Sequence, residues 1–195
     1  GTNSLLDLLV FGRAAGNHIV ESNLKARGHK DLPATAADFT LSRLAKYESS
    51  TSGEYAQDVA NDIRSTMQAH AAVFRTQAVM DEGVKQIKEV AKRVKNIHLA
   101  DKSKVFNTAR IEALEVENLI EVALATMISA AARRESRGAH TVDDYGDTPE
   151  FPNGRNDKEW MKHTLWYSSD LRLEYKPVNL TPLTTASIPP KVRSF

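Results

Sequence analysis

The chain contains no cysteine. Disulfides, thiolate nucleophiles, iron–sulfur ligation and cysteine zinc sites are therefore excluded within it. Net charge is nearly absent too: 26 Lys and Arg offset 25 Asp and Glu, leaving +1. A chain built mainly to grip nucleic acid or an anionic membrane carries a large basic excess, so no nucleic-acid partner is expected. No uninterrupted apolar run reaches the ~18–20 residues that a bilayer-spanning helix needs. GxSxG, Walker A and GxGxxG are all missing. The six histidines (His18, His29, His70, His98, His140 and His163) show neither HExxH nor HxxxH spacing, so no metal site is expected. No carboxylate pair stands out from the acidic background. Read by its residues alone, the chain is not a self-contained enzyme.

What is present fits a folded domain, or one domain with an appendage: 195 residues, 41% apolar and 26% charged. The chain opens on Gly1 rather than Met, and residues 5–11 are densely apolar with no approach segment. This suggests a piece of a longer protein. Residues 5–11 are not a signal peptide, because Asp7 interrupts them and no basic region precedes them. A helix is expected here, with Asn3 or Ser4 as N-cap and Asp7 in its first turn. Leu5, Leu6, Leu8, Leu9, Val10 and Phe11 cover nearly its whole circumference, and a helix apolar all round is expected to be buried, here against a partner larger than the rest of this chain provides. Gly12 and Gly16 form a GxxxG, but the apolar run is too short for a membrane dimer.

A polar linker at 26–34 precedes a short helix at about 35–48. Three longer helical patterns follow. The first, 54–73, carries Tyr55, Val59, Ile63, Met67 and Ala71 at spacings of three and four. The second, 76–98, carries Val84, Ile87, Ala91, Val94 and Ile97. The third, 107–134, is capped by Asn107 or Thr108 and carries Ile111, Leu114, Leu119, Val122, Met127 and Ile128. It is the most apolar and should be the most buried. Short links predict antiparallel neighbours, hence a three-helix up-and-down bundle in a mainly α fold. Residues 135–159 lack periodicity. Leu171, Leu173 and Tyr175 then alternate with charged residues, and His163 to Tyr167 offers a partner strand, which predicts a β-hairpin. The proline-rich end should be extended, with Ile188, Val192 and Phe195 clamping on another surface. Lys85, Lys88, Lys92 and Lys95 line the second bundle helix opposite its apolar stripe, while Glu112, Glu115, Glu117 and Glu121 lie on the third. Solvated faces with some ion pairing explain them, each pair worth little. The alternative is a basic docking surface for an acidic partner.

Two segments call for a reason. Gly1-Thr2-Asn3-Ser4-Leu5 leads straight into the apolar helix, whose free N–H groups either receive an ordinary cap or face a negative group. Arg134-Glu135-Ser136-Arg137-Gly138-Ala139-His140 ends the third bundle helix, either as a stop with Gly138 as C-cap residue or as a functional loop beside a larger domain.

Together these segments resemble the flavoprotein subunits of the succinate dehydrogenase and fumarate reductase group. The N-terminal segment, extended through Gly12-Arg13, is similar to the end of that family's flavin-binding domain. The segment from Arg134 to His140 is similar to its arginine-rich signature. The tail agrees in Trp160-Met161-Lys162-His163-Thr164-Leu165, Leu173-Glu174-Tyr175-Lys176-Pro177-Val178 and Pro189-Pro190-Lys191-Val192-Arg193-Ser194-Phe195. The resemblance covers the whole chain in order. Departures are small: Thr2 stands where relatives often have a second Gly, and Gly146 where a Pro is frequent. L-aspartate oxidase shares a version of Arg134 to Gly138 but usually has a different tail.

The resemblance implies the C-terminal part of an enzyme that oxidises succinate to fumarate with FAD and passes electrons to an iron–sulfur subunit and quinone. It implies that residues 1–34 edge the FAD-binding domain, that 35–134 form a spectrin-repeat-like bundle, and that 135–195 form the tail with its hairpin. Asn3, Ser4 and Leu5 would contact the flavin. The covalent FAD attachment site and the substrate-binding residues would lie upstream, leaving no catalytic residue here. Implied partners are the FAD domain of the same polypeptide, the iron–sulfur subunit, a flavinylation assembly factor and, indirectly, membrane anchor subunits. The implied location is peripheral, on the cytoplasmic face of the bacterial inner membrane, or the matrix side of the mitochondrial inner membrane. The alternatives are a fumarate reductase or L-aspartate oxidase flavoprotein, or a helical protein-interaction module.

Overall fold

The computed structural model describes residues 4–191. The expected roles of Asn3, Val192 and Phe195 lie outside those residues. The chain divides into two compact units, Gly1–Arg43 and Leu44–Phe195, and the division falls within the second helix.

The first unit contains α1 (Ser4–Glu21) and the start of α2 (Asp38–Ser49). α1 forms as expected, and its apolar residues Leu5, Leu6, Leu8, Leu9, Val10 and Phe11 are all exposed, Leu5 by 76%, as for a helix whose partner the described residues do not supply. Local propensity is enough to wind the helix. Burying an apolar surface requires a facing surface, and none of the described residues of this unit is buried.

In the second unit, α3 (Ala56–His70), α4 (Gln77–Val94) and α5 (Thr108–Ala132) pack pairwise, each on both others. Their directions alternate. Glu54, just before α3, bridges to Ile97, just after α4. Gln77, opening α4, donates from Nε2 to the Ala131 carbonyl at the end of α5 at 2.8 Å. The mainly α fold with an up-and-down bundle is therefore as expected. Caps set the helix starts. Thr76 Oγ1 accepts from the Val79 N–H, and Asn107 Oδ1 accepts from the Arg110 N–H at 2.8 Å. The loop from α4 to α5 is longer than expected and is braced. Asn107 Nδ2 donates to the carbonyls of Asp101 and Ser103, and Lys102 Nζ donates to those of Tyr47 and Ser50.

The core runs through Val59 and Ile63 of α3, Ile87 and Val90 of α4, and Val116, Ile120 and Met127 of α5, with Tyr47 closing one side. The phase of α5 differs from expectation. Its buried stripe is Ala113, Val116, Ile120, Ala123, Leu124, Met127 and Ala131, whereas Ile111 and Val122 are 54% and 64% exposed. As expected, α5 is the most buried of the three: eight of its 25 residues are exposed, against seven of 15 in α3 and eight of 18 in α4. A helix rich in apolar residues on every side has no unique phase. The alanines decide it here, because only small side chains let two neighbouring helices approach one face.

The hairpin follows a short helix, α6 (Asp157–Trp160). β1 (Lys162–Tyr167) pairs antiparallel with β2 (Arg172–Pro177), with Trp166 opposite Leu173. Leu171, expected in the strand, sits in the turn at φ +56° and packs with Trp166 against the bundle core. The Lys85 and Lys92 ammonium groups pair with Glu82 and Glu89 on their own helix, all four side chains well exposed.

Gly83 faces the point where α3 and α5 meet α4. A methyl group there would lie 2.5 Å from His70 Cβ and 2.8 Å from Met127 Sδ. Alanine in place of glycine gains about 1 kcal/mol inside an exposed helix. Here overpacking against a Cβ fixed by its backbone should outweigh that gain. Gly83→Ala is expected to destabilise the chain by about 1–3 kcal/mol, measured as a lower urea midpoint at unchanged slope.

Candidate functional site

α5 ends at Ala132, and its C-cap is Arg133 in an extended conformation. The expected C-cap, Gly138, is instead in a tight turn at φ +61°, where Arg137 and His140 exchange backbone hydrogen bonds. The helix therefore stops before the arginine-rich segment, and that segment forms a separate polar cluster.

Its centre is Glu135, whose side chain is fully buried. Arg137 grips it in a fork, Nε to Oε1 at 2.7 Å and Nη2 to Oε2 at 3.0 Å. Arg133 Nη1 reaches Oε1 at 2.8 Å, and the Asn156 N–H reaches Oε2 at 2.9 Å. Arg137 Nη2 also donates to Asp157, which Arg155 holds from its other side. The hydrogen bond to Glu135, more than that to Asp157, raises the Arg137 pKa despite partial burial. For Asp157, burial favours the neutral form, but hydrogen bonds and charge from Arg137 and Arg155 outweigh it and hold the carboxyl below its ordinary value.

Arg133 also ties the helix end to the hairpin. Its Nη1 donates to the Trp160 carbonyl at 3.0 Å, and its Nη2 to the Lys162 carbonyl at 2.7 Å and Thr164 Oγ1 at 3.0 Å. Its guanidinium also stands 5.1 Å above the Trp160 ring. Ser136 pins the following loop: its backbone N–H donates to the Gly154 carbonyl at 2.8 Å, and its Oγ accepts from the Val142 N–H at 3.0 Å. His140 links this loop to the α3–α4 turn. Arg75 Nη1 can only donate, so Nδ1 accepts from it at 3.2 Å. The Arg133 carbonyl can only accept, so Nε2 carries the ring proton at 3.0 Å. Burial lowers the His140 pKa. Its hydrogen bond to the Arg133 carbonyl opposes this, while the positive charges of Arg75 and Arg133 add to it. Beside the cluster is an open cleft of about 530 Å³ bordered by Arg133, Arg137, His140, Trp160, Lys162 and His163.

The structure brings Glu135, Arg137 and His140 together, while Arg134 points to solvent. Arg133, Arg75 and Asp157 belong to the cluster but were not singled out from the sequence, and Trp160 stood out only as part of the tail motif. Arg133 was visible only as part of a helix end, and Asp157 is twenty positions from its partner Arg137. The other expected site lies at the opposite end of the sequence. Ser4 is the first residue of α1, and Leu5 follows it in the first turn.

A family model described as the fumarate reductase flavoprotein C-terminal region matches residues 60–195. The chain belongs to this family. Among its relatives is the succinate dehydrogenase flavoprotein subunit of Rickettsia bellii, 44% identical over 200 residues that cover the whole chain and 32% of the relative. The fumarate reductase flavoprotein subunit of Haemophilus influenzae is 32% identical over 186 residues, covering 93% of the chain and 30% of the relative. Among solved structures, the quinol fumarate reductase of E. coli superposes with a TM-score of 0.74 at 31% identity, over 96% of the chain and 32% of its own. The chain thus spans about a third of the length of the relatives it matches. The family match covers the arginine-rich cluster and the hairpin, but not α1.

Two outcomes test the cluster. Glu135→Ala would leave two guanidinium groups facing a buried void, and removing one partner of a buried ion pair costs about 3–5 kcal/mol. The expected readout is a correspondingly lower free energy of unfolding in urea. The other concerns pH. His140 holds its proton less tightly when folded than at its ordinary value of 6.5, so the unfolded chain binds more protons between the two values. Its contribution to stability is complete above 6.5, declines as pH falls toward the folded value, and levels off below it. Asp157 adds a further loss below 3.8 as the pH falls through its lowered pKa. Unfolding free energies at pH 7.5 and pH 5.5 should differ for the native chain and differ less for His140→Gln.

Proposed function

We propose that the chain is the C-terminal part of a succinate dehydrogenase flavoprotein subunit, an FAD-dependent oxidoreductase that converts succinate to fumarate and passes electrons to an iron–sulfur subunit and quinone. The observation that carries this reading is the 44% identity to a succinate dehydrogenase flavoprotein subunit along the whole chain, against 32% to a fumarate reductase subunit. Fumarate reductase is the second reading, because both names occur among the relatives and one site can serve both directions. In either case the chain's own part is structural and docking, with no catalytic residue.

On this reading, residues 1–34 edge the FAD-binding domain, 35–134 form the bundle and 135–195 the tail. The fit to FAD is that of one edge. The first turn of α1 has backbone N–H groups without intrahelical acceptors, suited to a hydrogen-bond-accepting ring edge, and Leu5 and Leu6 offer exposed apolar contact. Asp7 already occupies the positive end of the helix, and the sequence has no glycine-rich GxGxxG turn for phosphates. Asn3, Ser4 and Leu5 would hold the ring edge, and the rest of the cofactor, with its covalent link, would be held by upstream residues. When bound, the flavin supplies the two-electron acceptor. This chain's residues orient its edge through the free N–H groups of the first turn.

The partners proposed are the upstream FAD domain, the iron–sulfur subunit, a flavinylation factor and, indirectly, the membrane anchor subunits. The location proposed is peripheral, on the cytoplasmic face of a bacterial inner membrane. Among the described residues no helix is long and apolar enough to cross a membrane.

The test uses the longer protein that contains this chain. Succinate should bleach its visible flavin band, and malonate should block the bleaching. Bleaching by L-aspartate alone would move the protein to the oxidase branch, and a protein without flavin would overturn the reading. The 195-residue chain alone is expected to bind no stoichiometric FAD.

A further inference from the structure

The open cleft beside the arginine cluster is bordered by three cations (Arg133, Arg137 and Lys162), by His140 and His163, and by no acidic residue. Its apolar wall comes from Trp160, Met161 and Val178. Two of its cations are fixed in place while keeping capacity to bind.

Arg137 is the first. The fork on Glu135 and the hydrogen bond to Asp157 engage its Nε and Nη2, and these bonds hold the guanidinium plane still. Among the described residues nothing accepts a hydrogen bond from its Nη1. Lys162 is the other. Its ammonium lies 4.5 Å from the Trp160 ring centre and 4.3 Å from that of Tyr175, two rings packed edge to face. Aromatic faces orient a cation without neutralising it, and among the described residues Lys162 has no carboxylate partner. The charges behind the cleft do not cancel these two. Arg133, Arg137 and Arg155 share only Glu135 and Asp157. A preorganised basic lining beside an apolar one suits a ligand with one negative group next to one apolar group, since little ordering remains to be done on binding.

We infer that this cleft binds a carboxylate carried next to an apolar group, with Arg137 Nη1 and the Lys162 ammonium on the carboxylate and Trp160, Met161 and Val178 against the apolar part. The carboxylate can come from a small organic acid or from a glutamate beside an aromatic residue in a peptide. This assignment stands on the cleft alone and does not depend on the activity proposed above.

The test is a titration of the full 195-residue chain, isotopically labelled, followed by amide chemical shifts at constant ionic strength. The three probes are phenylacetate, a short blocked peptide containing Phe-Glu, and inorganic phosphate. Saturable shifts at Thr164, His163, Ala130 and Val178 are expected with phenylacetate or the peptide. Saturation by both assigns the site to carboxylates in general, and saturation by the peptide alone assigns it to a protein partner. Lys162→Met keeps the apolar stem, and it leaves the backbone carbonyl that Arg133 uses. It should weaken binding by about tenfold, the loss of one charge-assisted contact. Val178→Asp, which adds a carboxylate to the apolar wall, should abolish binding. The inference is overturned if neither carboxylate probe saturates, if the shifts fall elsewhere, if Lys162→Met binds as the native chain does, or if phosphate binds as tightly as phenylacetate.

Discussion

A single buried carboxylate organises the C-terminal half of this chain. Glu135 receives both Arg133 and Arg137 and a backbone N–H from Asn156. A charge without water requires such saturation, since desolvation of an unpaired carboxylate would exceed any gain from folding around it. Each group that satisfies it is committed elsewhere as well. Arg133 reaches into the hairpin, Arg137 reaches α6 through Asp157, and Asn156 caps that helix through its side chain. The irregular segment between α5 and β1 has only a small apolar cluster, Val142 and Tyr145 on Met80 and Ala131, and these directional bonds hold the rest of it.

The bundle below supplies the frame. Small residues at Gly83, Ala113 and Ala123 let three helices meet closely, and the larger Ile63, Ile87 and Met127 fill the remaining space. This rigid end of the bundle presents the α3–α4 turn to the arginine-rich loop, where Arg75 meets His140 and Gln77 meets Tyr145. Packing and polar network are coupled here: the neutral His140 accepts from Arg75 only because α3 and α5 end, and α4 begins, at the same place. The exposed apolar face of α1 belongs to a different balance. Its helical form is local, and its burial would require surface from the further length that relatives of this family possess.

The helices could be read from the sequence because their causes are local. Asn107 caps α5, period-3.6 apolar spacing marks α3 and α4, and alternation marks the hairpin from Leu173 onward. The phase of α5 could not, because apolar residues on every face leave several equivalent stripes. The place of Leu171 in the turn was equally hidden, since its alternation with Leu173 is what a strand residue shows. Within the arginine-rich segment, Arg137 and His140 stood out as unusual, but their partners did not. Arg75 is 65 positions from His140 and Asp157 is 20 from Arg137.

By itself, then, the sequence determined the element types, the mainly α class and the family resemblance, because these depend on residue order and neighbours within a few positions. Only the tertiary structure decided which carboxylate is buried, which guanidinium keeps a free edge and that a basic cleft opens beside Trp160. Charge pairing and desolvation act through space, over separations that residue order does not encode.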